Sequence, residues 1–317
     1  MNTPWTGGQK RHAEELHVPI RYRREGKEYF SQASVWRYPA DHGPDGTMAV
    51  PGSRPRLLVV HGFRGDHHGM EPLADALPEF EVLAPDLPGF GATPPLRGSF
   101  GERTPHDVDA YADVVEHLRS GLGLGEGDVI LGHSFGTIVL AAHLRRQAGW
   151  AGAVMMCPIS DDIFRMPLLP GAAAVEVFYR AGGILPEAVG SAWLRSRLAT
   201  TAMNLAMGTA RQPRIRHFVA EQHRLYFSDF ADRATLLEAY RASSRHTVTE
   251  YAKDVTLPVQ LIAAARDQAS TPAGQLQLRD ALPAARLETI RDVGHLMHYE
   301  KPAEAARAVR RFVSDVM

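Results

Sequence analysis

Val129-Ile130-Leu131-Gly132-His133-Ser134-Phe135-Gly136, running on into Thr137-Ile138-Val139-Leu140-Ala141-Ala142-His143-Leu144, is the stretch on which the fold turns. A short apolar run without alternation reads as a strand covered on both faces. The residues after Gly136 read as a helix. Between them lies Gly-x-Ser-x-Gly. A serine lifted on a tight strand-to-helix turn needs a strained backbone, and flanking glycines avoid collision there. Its hydroxyl then stands at a helix N-terminus, where backbone N–H groups and the dipole favour negative charge. Ser134 is therefore the candidate nucleophile. Glycine and serine are common, so the motif carries weight only because a strand precedes it and a helix follows.

Further out, apolar runs and helical stripes alternate. Leu57-Leu58-Val59-Val60 ends in His61-Gly62, and a helix is expected over 69–77. Val82-Leu83-Ala84 ends in Asp86-Leu87-Pro88-Gly89. Val108, Tyr111, Ala112, Val115 and Leu118 form an apolar stripe of helical period over 105–120. The helix after Ser134 is expected over 135–147, and a strand over Ala153-Val154-Met155-Met156. The alternation stops at Pro158 and resumes at Val259-Gln260-Leu261-Ile262-Ala263. A helix near 272–281, a strand near 286–290 and a C-terminal helix over 302–316 complete it. Strands alternating with helices imply a parallel α/β sheet. Residues 18–38 read as a hairpin around Glu25-Gly26-Lys27, residues 1–15 as a frayed polar lead, and 39–55 as a loop. The Arg- and Ala-rich residues 158–250 read as mostly helical. They are expected to be a cap inserted over the carboxyl edge of the sheet, where open α/β sheets hold ligands. The core would then be 1–157 and 251–317.

A serine hydroxyl needs a neighbouring base, and imidazole titrates in the right range. His295, after the last strand, is the candidate, with His298 its competitor. The base needs a buried carboxylate to fix its tautomer. Asp267, just past the strand at 259–263, suits that role, with Asp161 and Asp162 as alternatives from another strand end. Acyl transfer also needs two backbone N–H donors aimed at the oxyanion. The residue after the nucleophile, Phe135, offers one. The loop after His61-Gly62 offers the other, at Phe63. His61 reads as structural, and Gly62 lets its loop approach the nucleophile. His67 and His68 are candidates to line the pocket mouth, and His61 and His133 to border the substrate. Cys157, the sole cysteine, reads as a small buried hydrophobe.

HGF at 61–63, DLPGFG at 86–91, GHSFG at 132–136, ARDQ at 265–268 and DVGH at 292–295 together resemble the α/β-hydrolase superfamily. The match covers about 55–157 and 255–316, and the chain order Ser, Asp, His is the one that family uses. The resemblance implies a mostly parallel eight-stranded sheet flanked by helices, with a helical cap after the sixth strand. It also implies a Ser134-His295-Asp267 triad with an oxyanion hole at Phe63 and Phe135. Serine at the nucleophile position departs from the haloalkane dehalogenases and epoxide hydrolases, which carry Asp there. The cap matches no named pattern, so the substrate stays open.

Composition bounds the remaining classes. Among 317 residues, 35 Lys and Arg face 36 Asp and Glu, giving a formal charge of −1. Nothing global draws the chain to nucleic acid. One cysteine excludes an internal disulfide framework and a cysteine-rich zinc site. The longest uncharged run, Val129 to Leu144, falls short of the ~20 apolar residues of a membrane span. No apolar segment near the N-terminus suggests a secretory signal, so the expected address is cytoplasmic. The glycine run over 121–127 follows a helix rather than a strand, unlike a dinucleotide fingerprint. No cofactor and no metal are expected. The expected partner is a small ester-like or apolar molecule, and the expected state a monomer or homodimer. The leading reading is a serine hydrolase. A C–C bond hydrolase or lyase using the same site, and a ligand-binding protein on the same scaffold, are its rivals.

Overall fold

The short apolar runs become the middle of one sheet. The computed structural model describes residues 10–41, 55–146, 149–164 and 169–317. The chain opens with a hairpin, β1 (Glu14–Arg24) and β2 (Lys27–Tyr38). There follow β3 (Arg56–Val60), α1 (His67–Asp75), β4 (Glu81–Pro85), α2 (Val108–Gly121), β5 (Val129–His133), α3 (Phe135–Leu144) and β6 (Gly152–Met156). Five helices come next: α4 (Leu169–Ile184), α5 (Glu187–Leu194), α6 (Arg197–Met207), α7 (Pro213–Tyr226) and α8 (Arg233–Arg245). The sheet then resumes with β7 (Val259–Ala264), α9 (Pro272–Ala281) and β8 (Ala285–Ile290), and the chain ends in α10 (Met297–Glu300) and α11 (Pro302–Val316).

The eight strands lie in the order β1-β2-β4-β3-β5-β6-β7-β8. The hairpin and its junction with β4 are antiparallel, and the remaining neighbours are parallel. This is the mostly parallel eight-stranded sheet that the resemblance implies. Successive side chains on a strand point to opposite faces, which explains the unbroken apolar runs. Leu58, Val60, Ile130 and Met155 pack with α2 and α3 on one face. Leu57, Val59, Leu131 and Met156 pack with α1 and α11 on the other. Because β4 lies on one side of β3 and β5 on the other, the loops leaving β3 and β5 diverge. That divergence opens a crevice at their carboxyl ends.

Caps moved several boundaries. Asp107 accepts from Ala110 N at 3.0 Å, so the helix expected from 105 begins at Val108. Asp66 accepts from His68 N at 2.9 Å, so α1 begins two residues earlier than its apolar stripe suggests. The frayed lead expected over 1–15 is corrected over its described part. Arg11 is buried, and its guanidinium donates to the carbonyls of Ala74 (2.7 Å), Tyr38 (2.8 Å) and Phe80 (2.9 Å). β1 then begins at Glu14. Residues 1–9 and most of the loop expected over 39–55 lie outside the described residues.

Candidate active site

Ser134 stands between β5 and α3 with φ 54° and ψ −121°, a conformation that costs an L-residue roughly 1–3 kcal/mol. Its neighbours hold it there. Ser134 N donates to Met156 O at 3.1 Å, tying the turn to β6. Its own carbonyl accepts from Thr137 N at 2.8 Å and from Thr137 Oγ1 at 2.6 Å. Gly136 is required by close approach, since a Cβ there would lie 2.4 Å from Val60 O and 2.8 Å from His61 O. Both are backbone atoms that cannot step aside. Gly136→Ala should therefore cost at least about 1–3 kcal/mol, the range for overpacking, read as a lower thermal midpoint. An unchanged midpoint would contradict this packing.

Three loops at the carboxyl edge bring the expected side chains together. Ser134 Oγ lies 2.7 Å from His295 Nε2. His295 Nδ1 lies 2.9 Å from Asp267 Oδ1. An ionised carboxylate only accepts, so the Nδ1 proton faces Asp267 and Nε2 is free to accept from the serine. Asp267 Oδ1 also accepts from Ala269 N at 2.8 Å, and the side chain is 1% exposed. Burial alone would raise this carboxyl; the His295 ring and the Ala269 N–H outweigh it and hold it below the usual carboxylate range. The His295 backbone is held too. His295 N donates to Gln268 Oε1 at 3.1 Å, and His133 Nε2 donates to His295 O at 3.0 Å.

The alternatives are used elsewhere. Asp161 Oδ2 accepts from Thr271 N at 2.8 Å at the start of α9, and Asp162 Oδ1 from Phe164 N at 2.9 Å. His298 is buried against the His133 ring, centroids 4.0 Å apart, rather than paired with the serine. Cys157 is buried at the end of β6 with φ 47°. Burial, then the nearby Asp267 charge, push its thiol well above the ordinary range.

The loop after β3 presses against the nucleophile: a Cβ on Gly62 would lie 3.1 Å from Ser134 Cβ. The Gly62 carbonyl accepts from Gly65 N at 3.0 Å and from His61 Nδ1 at 2.8 Å. A trans peptide sends its N–H opposite to its C=O. With the Gly62 carbonyl held on one side, the Phe63 N–H points to the other. Phe135 is the first residue of α3, so its N–H has no partner within the helix. His61 Nε2 accepts from Leu87 N at 2.9 Å, so backbone engages both of its ring nitrogens.

His67 donates to Asp86 from its backbone (2.7 Å) and its ring (3.0 Å), and lies between the rings of Trp36 and His68. His68 stacks on Tyr226 of α7, centroids 3.6 Å apart. Asp66, His67 and His68 hold ligand-type atoms within 4.8 Å of one another. The two imidazole centroids lie 3.8 Å apart, their planes tilted by 36°.

Contacts to the helices of 158–250 were not legible beforehand. The Phe63 ring packs on Tyr179 and Tyr240, centroids 5.7 and 6.1 Å away. Thr209 Oγ1 accepts from Gly294 N at 2.8 Å, next to His295. Glu300 accepts from Thr209 N (2.7 Å) and Ala210 N (2.9 Å), pinning that segment to α10. The segment between β6 and β7 thus contacts both the loop after β3 and the loop that carries His295.

The sheet, the strand-to-helix turn and the order of its loops are those of one family. The chain matches the alpha/beta hydrolase family over residues 57–308, and it belongs to that family. Lipase 3 of Moraxella sp. (strain TA144) is 21% identical over 277 residues, covering 81% of this chain and 76% of the relative. Monoacylglycerol lipase ABHD6 of Homo sapiens is 22% identical over 276 residues, covering 84% and 77%. A thermophilic esterase from Thermogutta terrifontis superposes with a TM-score of 0.69 at 20% identity, over 96% of this chain and 99% of that one. At that identity the likeness speaks for the fold. Among the described residues, no helix is long and apolar enough to cross a membrane.

Proposed function

We propose that the chain is a serine hydrolase that cleaves an ester-like small molecule through an acyl-enzyme on Ser134. The observation that carries this reading is the relay of 2.7 Å from Ser134 Oγ to His295 and 2.9 Å from His295 to Asp267. In this reading His295 takes the hydroxyl proton as Oγ bonds to the carbonyl carbon, then returns it to the leaving group. Asp267 stays ionised and stabilises the imidazolium. The Phe63 and Phe135 amides receive the oxyanion; each such donor is worth roughly 3–4 kcal/mol. Water activated by His295 then releases the acid. The 158–250 insertion acts as the cap that covers the acyl group. The lipase names of the two relatives and the esterase name of the similar structure agree with this chemistry.

A fluorophosphonate probe tests it. The Oγ–P bond forms, fluoride leaves, and His295 takes the hydroxyl proton. Intact mass should show one adduct per chain, and peptide mapping should find it on Ser134. Folded protein that stays unlabelled would overturn the reading and favour a ligand-binding role.

A further inference from the structure

Arg64 follows Phe63 in the loop after β3, and the chemistry above makes no use of it. The residue is buried and adopts φ 59°. Each arm of its guanidinium reaches the insertion. Nε donates to Phe227 O at 3.0 Å, Nη1 to Tyr179 OH at 3.2 Å and Nη2 to Leu194 O at 2.8 Å. The guanidinium carbon also lies 4.2 Å from the Phe227 ring centre and 5.4 Å from that of Phe230. Those hydrogen-bond partners sit on α4, at the end of α5 and just past α7, and all three are neutral acceptors. Tyr179 is shared: its hydroxyl takes Arg64 while its ring packs on Phe63.

We propose that Arg64 is a positioning residue for the oxyanion site, a role that rests on the serine-hydrolase reading. Its rigid fork fixes three insertion elements against the 62–65 loop, and so fixes the aim of the Phe63 amide. Filling this space with an apolar side chain would avoid the cost of burying a cation among neutral groups. What the guanidinium adds is direction, because its planar donors accept one geometry. It also sets a positive charge, hydrogen-bonded to neutral acceptors, one residue from the amide, in surroundings where charge is weakly screened.

Labelling kinetics separate this role from simple packing, because phosphonylation needs the same oxyanion site. The full chain is compared with Arg64→Met, Arg64→Lys and the milder Tyr179→Phe, using a fluorescent fluorophosphonate and thermal melts. For Arg64→Met the maximal labelling rate should fall by at least about tenfold, short of the ~10²–10³ for loss of a whole oxyanion donor. The probe concentration for half-maximal rate should stay within about twofold, since ground-state binding is not what Arg64 sets. Arg64→Lys should recover part of the rate, and Tyr179→Phe should lose part of it. Should Arg64→Met fail to fold, the last two variants decide. Folded variants that label at the wild-type rate, or that change only the half-maximal concentration, overturn the role. A wild-type chain that takes no probe instead overturns the reading of Ser134.

Discussion

Ser134→Ala is expected to lower kcat for ester hydrolysis by on the order of 10⁶-fold while the protein folds as before. The two halves of this result have separate causes. Ser134 Oγ makes a hydrogen bond of 2.7 Å to His295 Nε2, at a position the solvent partly reaches. Losing it removes the nucleophile and leaves no deeply buried group stranded. The Cβ that alanine keeps preserves the backbone demand at φ 54°, so the turn neither relaxes nor clashes further. Stability should therefore change by less than about 1 kcal/mol. The size of the kinetic loss follows from how such groups act together. Once the nucleophile is gone, base and acid have nothing to activate, so adding His295→Ala should lower the rate little further. Steady-state assays on a p-nitrophenyl ester, with a thermal melt of each variant, check both halves. Retention of more than about 1% of wild-type kcat would show that Ser134 is not the nucleophile.

The parts of this site that were legible in the sequence share one property. Each sits at the end of a β-strand, and strand ends can be read from apolar runs that stop at glycine or a polar residue. Ser134, Asp267 and the Gly62-Phe63 turn follow such runs, whereas His295 follows the mixed strand β8 and is picked out by its place after the acid in chain order. The sequence favours Asp267 over Asp161, although both follow buried strands. The structure parts them by their partners, a His295 ring nitrogen for one and the Thr271 amide for the other.

What was not legible depends on contacts between distant helices and loops. Arg64 bonds to Phe227, 163 positions away, and Thr209 bonds to Gly294, 85 positions away. Helical periodicity between β6 and β7 reports which residues are apolar, but not which face meets which loop. Arg11 fails for a related reason. A polar lead looks solvated unless one knows that several carbonyls converge on the same guanidinium. His67 reads as a pocket residue from its neighbours in sequence. Its true partner, Asp86, lies at the end of the next strand.

Acid should unfold the chain at a milder pH than carboxylate titration alone would require. Burial pushes the His133 imidazole down to about 3 and those of His143 and His223 down to about 4, and it lowers His61 and His298 in the same direction. The sign follows from where the proton goes. In the unfolded chain a histidine binds a proton near pH 6.5, whereas these folded sites stay neutral to pH 3–4. The unfolded state thus binds more protons throughout that window. The stability these groups supply is whole above about pH 6.5 and drains as pH falls below it, at about 1.4 kcal/mol per pH unit for each group. Counting only the three with values, the fall from pH 6.5 to 5 is about 5 kcal/mol, against a typical total of ~5–15 kcal/mol. His68 opposes this. Burial lowers its pKa, but Asp66 outweighs burial and the net shift is upward, so it gains stability on acidification. One such group does not offset five. Denaturant titrations at pH 7, 6 and 5 should show the unfolding free energy dropping ever more steeply. His143→Gln offers a side-chain acceptor in place of Nε2, which now accepts from Trp150 Nε1 at 3.0 Å, and it removes one titrating site. Its curve should be flatter by about 1.4 kcal/mol per pH unit below pH 6. A free energy that is level from pH 7 to 5 would mean these rings reach water in solution.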